Sequence, residues 1–416
     1  MTTTKNNIPI GYKDSAVGII PEEWEVKRLG TIAKCFSGGT PKSESEEMYG
    51  GTIPFIRSGE IHSDKTALYL TDEGLSKSSA KMVDVGDLIF ALYGANSGDC
   101  AISQINGAIN QAILCIRSSS VINPFLQFYL ELQKDKNIAK YLQGGQGNLS
   151  GEIVCSYTIP VPPMAEQRKI AEILGVWDEA IEKQNLLIEK LELRKRALMQ
   201  RLLTGKTRLP GFTEPWQKVK LGEIGKITSA GVDKKVNEGE VSVRLLNFVD
   251  VFYRDFIYDN ELTHWVTAKS IKVEQCSVKK GDIFFTPSSE IPTDIALSAV
   301  AMEDMGNVVY SYHIVRLRPH IEIDLYYRAY AFKTDEFYKQ AKRICDGSGQ
   351  RYVISQDGFR NMSIHLPPLP EQKAIAEVLS TADKEIAIHS KTLDALRLQK
   401  RGLMQQLLTG KTRVKI

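Results

Sequence analysis

The sequence predicts an α+β, mixed α/β architecture of two globular domains separated by two long helices. The helices are expected to form an antiparallel coiled coil with internal pseudo-two-fold symmetry. Two observations carry this prediction: the chain repeats itself with a period of about 200 residues, and each copy ends in a stretch with heptad spacing. The length of 416 residues suits two or three domains rather than one.

The internal repeat is clearest where each copy ends. Glu166-Gln167 matches Glu371-Gln372, IAEIL matches IAEVL, and LMQRLLTGKTR matches LMQQLLTGKTR. The beginnings match more loosely and place Trp24 opposite Trp216, whereas the segments between differ almost completely. The repeat therefore predicts a common frame that carries two different surfaces.

Apolar residues in both terminal stretches step alternately by four and three, which is typical of a coiled-coil seam. The predicted seam positions are Ile170, Leu174, Trp177, Ile181, Gln184, Ile188, Leu191, Leu198 and Leu202, and then Ile375, Leu379, Ile386, His389, Leu393, Leu396, Leu403 and Leu407. Polar residues interrupt both seams at the same steps, Gln184 or His389 and Lys195 or Lys400. They either fix the register from a buried position or lie at the seam edge and reach water.

Six segments follow from the repeat: an N-terminal segment (residues 1–17), a first globular domain (18–160), a first long helix (161–208), a second globular domain (209–365), a second long helix (366–413) and a tail (414–416). Antiparallel pairing of the helices is expected to bring the tail near the segment before Gly18. Gly205 and Gly410 are placed where a glycine ends a helix.

Both globular domains contain strand-like and helical patterns. Runs such as DLIFALY, AILCIR, DIFFT and VVYSYHIVRLRP are rich in β-branched and aromatic residues. Residues 124–142 and 325–343 have the pattern of helical stretches. Glycine-dense loops such as FSGGTPKSES (residues 36–45) and YGANSGDC (93–100) allow the backbone to approach a ligand closely.

Composition narrows the functional classes. The polar start lacks the apolar core of a signal peptide, and no apolar run is long enough for a membrane span, so we expect a cytoplasmic protein without membrane contact. The six cysteines are scattered, which favours reduced thiols and no metal site. The formal net charge of +3 indicates that any nucleic-acid affinity needs segregated charges or help from partners.

Side chains able to contact base edges or phosphates lie in or beside the variable loops. In the first domain these candidates are Ser37, Gly38, Gly39, Thr40, Arg57, Glu60, Asn96, Gln146 and Asn148. In the second they are Lys234, Arg244, Asn247, Ser288, His313, Gln350 and Arg351. Arg57 aligns with Asn247, so the same place would present different chemistry in each domain.

Sequence motifs give no support to catalysis. The two TGKT segments lack the first glycine of a phosphate loop and end a helix, where the helix dipole has the wrong sign for phosphate. No methyltransferase signature or nucleophile with a paired histidine is evident. Two alternatives stay open: a single-chain nuclease or methyltransferase with duplicated recognition domains, and a coiled-coil assembly scaffold.

The doubled PPxxEQxxIAExL…LLTGKTR segments, the two tryptophan-containing starts and the SGGTP loop resemble the specificity subunits of type I restriction-modification enzymes. The resemblance implies a non-catalytic subunit whose two target-recognition domains read a bipartite, asymmetric sequence in double-stranded DNA. It also implies that the helices set the spacing and bind two methyltransferase subunits, which motor-nuclease subunits join. S-adenosylmethionine, ATP and magnesium are then expected only in those partners, and no cofactor in this subunit.

Overall fold

The computed structural model describes residues 8–42, 44–141, 148–291, 294–348 and 351–416. The chain forms two compact units: unit 1 comprises residues 1–185 and 391–416, and unit 2 comprises residues 186–390. Each long helix contributes one part to each unit.

Unit 1 is a mixed α/β unit. Its strands are β1 (Tyr12–Lys13), β2 (Ile20–Pro21), β3 (Glu25–Arg28), β4 (Ala33–Ser37), β5 (Tyr49–Ile56), β6 (Leu68–Leu70), β7 (Lys81–Val83), β8 (Leu88–Ala91), β9 (Cys100–Ile102), β10 (Gly107–Ile109), β11 (Ile113–Ser118) and β12 (Thr158–Val161). Its helices are α1 (Leu29–Ile32), α2 (Asp72–Ser76), α3 (Asn123–Tyr141), α4 (Gly151–Cys155) and the first part of α5 (Met164–Leu202).

Unit 2 is likewise a mixed α/β unit. Its strands are β13 (Gln217–Lys220), β14 (Gly225–Thr228), β15 (Val241–Leu246), β16 (Phe256–Ile257), β17 (Trp265–Ala268), β18 (Ile283–Phe285), β19 (Ser288–Ser289), β20 (Ser298–Ala301), β21 (Val308–Tyr310), β22 (Val315–Pro319), β23 (Asp346–Ser348), β24 (Arg351–Val353) and β25 (Ser363–Leu366). Its helices are α6 (Leu221–Ile224), α7 (Phe248–Phe252), α8 (Ser270–Gln275), α9 (Leu325–Tyr330), α10 (Asp335–Ile344), α11 (Gln356–Asn361) and α12 (Leu369–Leu407), whose last part belongs to unit 1.

Strand order shows that the two domains share one topology. The order β4-β11-β8-β9 in unit 1 corresponds to β14-β22-β18-β20 in unit 2, where β16 extends the sheet. A second sheet contains β6-β5-β10 in unit 1 and β17-β15-β21 in unit 2, with a parallel pair at β5–β10 and at β15–β21. The short pairs β3–β12 and β13–β25 close each domain beside its long helix. The duplication predicted from the sequence is therefore a duplication of the fold.

The long helices run antiparallel within each unit. In unit 1, Arg413 contacts Glu166, Lys400 contacts Asp178 and Arg397 contacts Asn185, so the residue number falls along α12 as it rises along α5. In unit 2 the same order is given by Arg208 with Glu371, Lys195 with Asp383 and Arg194 with Glu385. Each core also takes side chains from both helices, such as Leu174 and Leu407 in unit 1 and Leu202 and Leu379 in unit 2.

Both long helices end as the glycine positions predict. Gly205 and Gly410 have φ angles of 68° and 70°, a left-handed conformation that favours glycine. The Thr207 amide donates to the Arg201 carbonyl at 3.1 Å, and the Thr412 amide donates to the Gln406 carbonyl at 3.2 Å. The TGKT motifs therefore close helices.

Two of the predicted stretches have the expected type but are each divided in two. The helical stretch over residues 325–343 forms α9 and α10, because the Thr334 hydroxyl accepts from the Phe337 amide and starts a new helix. The run VVYSYHIVRLRP forms two strands, and the intervening turn is held by a bond from the His313 amide to the Ser311 hydroxyl. Residues 123–141 do form one helix, α3.

The tail lies beside the N-terminal part of the chain, as predicted. The Arg413 guanidinium donates to Glu23 at 2.8 Å. Val17 and Val414 pack against the same apolar cluster. The C-terminal tail thus belongs structurally to unit 1.

Candidate nucleic-acid interface

Each unit contains the same buried anchor at the start of a long helix. In unit 1, the Trp24 indole N–H donates to the Glu166 carboxylate at 3.1 Å, and Arg413 donates to the same carboxylate. In unit 2, Trp216 donates to Glu371 at 2.8 Å, and Arg208 donates to it through two nitrogens at 2.6 and 2.8 Å. A buried carboxylate is tolerated only when it is paired and hydrogen-bonded, which explains why these residues recur together.

The glutamine that follows each anchor connects the helix to its domain. The Gln167 amide oxygen accepts from the Ile122 N–H at 2.9 Å, while its amide nitrogen donates to the Ser120 and Pro162 carbonyls. Gln372 accepts from the Asp324 N–H at 2.9 Å and donates to the Pro367 carbonyl. The repeated Glu-Gln pair therefore positions each globular domain on its helix, a role that sequence analysis missed although both pairs stand out in the repeat.

The predicted seam positions share one property: none of them is exposed. Those fully buried are Ile170, Leu174, Leu191, Leu202, Ile375, Leu379, Leu393 and Leu407. Trp177, Ile181, Gln184, Ile188, Leu198, Ile386, His389, Leu396 and Leu403 are half-buried. The burial of these positions agrees with the spacing from which the seam was predicted.

The seam lysines do not reach out to water, so the interpretation that places them at the seam edge was wrong. The Lys400 side chain is 9% exposed, lies 2.6 Å from Asp178 and 3.6 Å from Glu131, and stands over the Phe128 ring. Lys195, 16% exposed, pairs with Asp383 and lies 3.6 Å from Asp255. Each lysine thus joins the long helices to a carboxylate of the neighbouring globular domain.

In unit 1, two of the candidate residues form an ion pair at the end of β5. Arg57 donates to Glu60 from Nε at 3.1 Å and from Nη2 at 3.0 Å, and Glu60 also accepts from the Ala67 amide. The hydrogen bond from Arg57 lowers the pKa of Glu60 to about 2 against an opposing effect of burial. The Asn96 amide donates to the Ser58 carbonyl at 3.2 Å, which brings the glycine-dense loop at 93–100 to this corner.

The loop at Ser37–Thr40 has a structural explanation. A Cβ on Gly38 would lie 1.7 Å from the Ile109 carbonyl oxygen, and a Cβ on Gly39 would lie 1.9 Å from the Ser79 hydroxyl. These glycines therefore let the backbone approach the protein itself, and the close approach of this loop to a ligand stays a prediction. The Thr40 hydroxyl donates to Gln111 at 2.5 Å.

Two candidates of unit 2 are used inside the domain. Asn247 is buried and caps α7, where its side-chain oxygen accepts from the Phe248 amide at 2.8 Å. Arg244 donates to both carboxylate oxygens of Asp259 at 2.7 and 2.8 Å and is largely buried. Arg57 and Asn247 lie at equivalent positions, as the alignment predicts. The Asn247 amide faces inward, however, so it does not present its chemistry to solvent at that position.

The other candidates of unit 2 come together. Arg351 donates to the Ser288 hydroxyl at 3.3 Å across the small sheet β19-β24-β23. Burial lowers the pKa of His313, and the charges of Lys234 and Arg351 lower it further against the opposing charge of Asp233. Sequence analysis could not bring these residues together because more than a hundred residues separate Lys234 from Arg351.

Three candidates stay predictions from the sequence. Asn148 is exposed at the start of the segment that leads into α4, so its side chain is open to solvent. Gln146 and Gln350 lie outside the described residues.

Exposed aromatic and apolar side chains on α7 and at its C-terminal end were missed. Val249 is 53% and Tyr253 79% exposed, and the Phe248 and Phe252 rings stack at 5.7 Å. A groove of 510 Å³ beside them is lined in part by Ser288 and Arg351. The signal was present in the repeat, because NFVDV stands where the first domain has RSGEI.

The described residues contain no group of three or more His, Cys, Asp or Glu side chains able to hold a metal ion. Among the helices of the described part of the chain, none is long and apolar enough to cross a membrane. The chain contains the same arrangement twice, a globular domain attached to a long helix. The two copies share their framework and differ in their loops, which defines a duplicated recognition protein.

A family model described as the type I restriction modification DNA specificity domain matches residues 21–193 and again residues 213–398. The chain belongs to this family, and it is a non-catalytic DNA-specificity subunit of a type I restriction-modification system.

Individual relatives agree with this assignment. The MjaVIII specificity subunit of Methanocaldococcus jannaschii is 26% identical, over 95% of this chain and 94% of its own length. The EcoKI specificity subunit of Escherichia coli is 22% identical over 86% of this chain and 82% of its own length.

Solved structures show the same fold. A chain from a structure of a type I restriction-modification system matches with a TM-score of 0.62 and 18% identity, over 94% of this chain and 99% of its own. The type I specificity subunit from M. genitalium matches with a TM-score of 0.53 and 14% identity, over 100% of this chain and 99% of its own.

Proposed function

We propose that each globular domain reads one half of a bipartite, asymmetric sequence in double-stranded DNA, and that the paired long helices set the distance between the halves. The observation that carries this proposal is the recurrence of one anchor, Glu166 with Trp24 and Glu371 with Trp216, beneath domains whose loops differ. An identical attachment of two different reading surfaces is what two different half-sites require.

Physical considerations favour a fixed spacing. Each misread base pair costs ~1–3 kcal/mol, so one short half-site discriminates weakly within a genome. Linking two half-sites adds their penalties, and a rigid connection restricts the accepted separation and helical phase. Helices α5 and α12, each 39 residues long, would supply this connection.

The long helices are also proposed to bind two methyltransferase subunits, which motor-nuclease subunits then join. In this assembly S-adenosylmethionine, ATP and magnesium act in the partner subunits, and the complex works in the cytoplasm. The duplicated helices support two copies of one partner, because a repeated surface offers the same contacts twice.

The spacing is tested by lengthening both helices. One heptad inserted within residues 182–190 and one within the equivalent residues 387–395 keeps the seam in phase and adds ~10.5 Å. At 3.4 Å per base pair we expect the methylated motif to gain a spacer of ~3 base pairs. Single-molecule methylome sequencing of cells that also express the methyltransferase subunit gives the result.

Two controls accompany this experiment. A heptad in α5 alone mismatches the seam and should abolish specific methylation, whereas seven residues inserted after Gly239, in an exposed loop, should leave the spacer unchanged. A paired insertion that methylates with the original spacer would contradict the proposed role of the helices.

Domain exchange tests the other half of the proposal. Replacing residues 18–160 with the equivalent domain of a relative should change one half of the methylated motif and leave the other half intact. A change in both halves would contradict the assignment of one half-site to each domain. Methylation by the isolated subunit with S-adenosylmethionine would instead support the single-chain enzyme.

A further inference from the structure

A cationic groove lies where β13 and β25 meet α10 in unit 2. It encloses 670 Å³, and four positively charged side chains line it: Lys218, Lys220, Lys339 and Arg343. Within the described part of the chain, none of these four forms an ion pair. Two carboxylates share the lining, and that of Glu223 accepts from the Lys220 backbone amide at 2.9 Å.

The two carboxylates offset only part of this positive charge. The second of them, Glu336, lies 3.8 Å from the His365 imidazole. Four cations against two carboxylates leave an excess of positive charge in an open concave surface, which raises the local concentration of anions.

Unit 1 has a pocket at the same place in the fold. Thr158 pairs with Arg28 across β12–β3 as Ser363 pairs with Lys220 across β25–β13, and Thr158 and Ser363 each line their own cavity. The unit 1 pocket is smaller than the unit 2 groove and measures 130 Å³. No carboxylate is among its lining residues, which include Lys136 and Lys140 of α3.

A buried hydroxyl in this pocket lacks a partner. Tyr157 is 5% exposed, lines the pocket, and its hydroxyl has no hydrogen-bond partner among the described residues. Burial raises the pKa of Tyr157, so the phenol is neutral and able to donate at neutral pH. An unsatisfied buried donor lowers stability, and a ligand oxygen beside it would restore the missing bond.

We propose that these two cavities bind phosphate groups of the DNA backbone and so orient each domain on the duplex. Their lining offers ammonium and guanidinium groups, and in unit 1 a neutral phenol, all of which donate to phosphate oxygens. The cavities recur beside the shared framework strands rather than in the variable loops. A ligand common to both half-sites fits this placement, because the backbone is the same in each while the bases differ. The inference rests on the proposed function.

Salt dependence tests the unit 2 groove in the complex with methyltransferase subunits. We expect the Lys339→Gln, Arg343→Gln double variant to bind a duplex with the motif and one without it more weakly by the same factor. The slope of log affinity against log salt concentration should fall by ~0.9 for each phosphate that the variant no longer neutralises, and the methylated motif should be unchanged. The exposed lysines Lys269 and Lys280 provide a matched control variant with glutamine at both positions.

Tyr157→Phe tests the unit 1 pocket without removing charge. Because the hydroxyl has no partner among the described residues, thermal stability of the subunit should be equal to or above that of the wild type. The affinity of the complex for DNA should nevertheless fall roughly tenfold, the value expected for one hydrogen bond to a charged group. Unchanged DNA affinity would overturn the assignment of this pocket.

Other outcomes of these experiments would separate failure of this inference from failure of the proposed function. An unchanged salt slope in the double variant, with weaker binding of methyltransferase subunits by size-exclusion chromatography, would overturn the inference and assign the groove to an acidic protein surface. A wild-type complex that prefers no bipartite sequence would overturn the proposed function itself. A wild-type complex with a defined motif and variants with an unchanged slope would overturn only this inference.

Discussion

Arg413, near the end of the chain, donates from Nε to the Glu166 carboxylate at 3.1 Å, at the beginning of α5. Glu166 is 1% exposed, so its charge depends on this guanidinium and on the Trp24 N–H. The same arrangement joins Arg208 to Glu371, which is fully buried. The last residues of the chain therefore complete unit 1 as residues near 208 complete unit 2.

Removal of Arg413 should destabilise unit 1. Arg413→Ala leaves Glu166 buried with one neutral donor, and breaking a buried pair in this way costs ~3 kcal/mol. Native-state hydrogen exchange should show faster exchange in residues 20–29 and around 166, while unit 2 keeps its protection. Arg401→Ala is the matched control, because its pair with Asp135 is exposed and separated by 3.6 Å, and should cost less than ~1 kcal/mol. Equal effects of the two variants would contradict a structural role for the anchor.

The two seam lysines should differ in importance. Lys400→Met leaves Asp178 and Glu131 with side chains 46% and 48% exposed, and water can solvate both carboxylates. Lys195→Met leaves Asp383, 27% exposed, with the Tyr330 hydroxyl as its remaining donor, and water replaces the missing ammonium less well there, whereas Asp255 keeps its pair with Lys333. We expect losses of ~1 kcal/mol for Lys400→Met and ~2–3 kcal/mol for Lys195→Met in the free energy of unfolding.

Arginine variants provide the control for this comparison. Lys195→Arg keeps the charge and should recover part of the stability that Lys195→Met removes, as measured by urea unfolding of each unit with local probes. A larger loss for Lys400→Met than for Lys195→Met would show that solvation of the carboxylates does not decide the order.

The framework was predictable from the sequence because the duplication is visible in the amino-acid sequence itself. Identical Glu-Gln pairs, matching tryptophans and the heptad spacing fix the helices, and near-identical segments must make near-identical contacts. The ends of α5 and α12 were also predictable, since Gly205 and Gly410 mark them.

The interface was predictable only in part, because its geometry depends on contacts between distant residues. The charges of Lys234 and Arg351 lower the pKa of His313 from two other segments of the chain, an effect that no local pattern encodes. The Asn247 amide turns inward because it caps α7, and this role competes with solvent contact in a way that composition does not reveal. The burial of Lys195 and Lys400 could not be decided from the heptad spacing, because one of the two carboxylate partners of each lysine lies in a globular domain.

Alanine at the helix-ending glycines gives a matched pair of variants. Gly205 and Gly410 have nearly equal positive φ angles, so each substitution should cost ~1–2 kcal/mol in backbone strain. At Gly205 a Cβ has room, since its nearest neighbour is the Trp216 ring at 3.7 Å. At Gly410 a Cβ would lie 2.3 Å from Pro21 Cδ, a rigid ring atom.

Gly410→Ala should therefore lower the midpoint of thermal unfolding more than Gly205→Ala. The additional loss should be confined to unit 1, where faster hydrogen exchange near Pro21 would reveal the displaced tail. Equal midpoints would mean that the tail moves away from Pro21 without loss of stability.

The Arg57–Glu60 pair should make the stability of unit 1 depend on acid pH. Glu60 has a pKa of about 2 in the folded protein, below its ordinary value of 4.5, chiefly because Arg57 donates to it. A folded pKa below the unfolded one means that the contribution of the ionised Glu60 to stability is fully present above pH 4.5 and is lost as the pH falls toward 2.

Glu60→Gln removes this titration, so the wild type should be more stable than the variant at pH 7. The difference in the free energy of unfolding should shrink steadily between pH 4.5 and pH 2. Urea unfolding at a series of pH values, followed near β5, measures the difference. Glu73→Gln is the control, because its pair with Lys77 is exposed and should contribute almost nothing to stability. A constant difference between wild type and Glu60→Gln across this range would show that the carboxylate acts through packing and not through its charge.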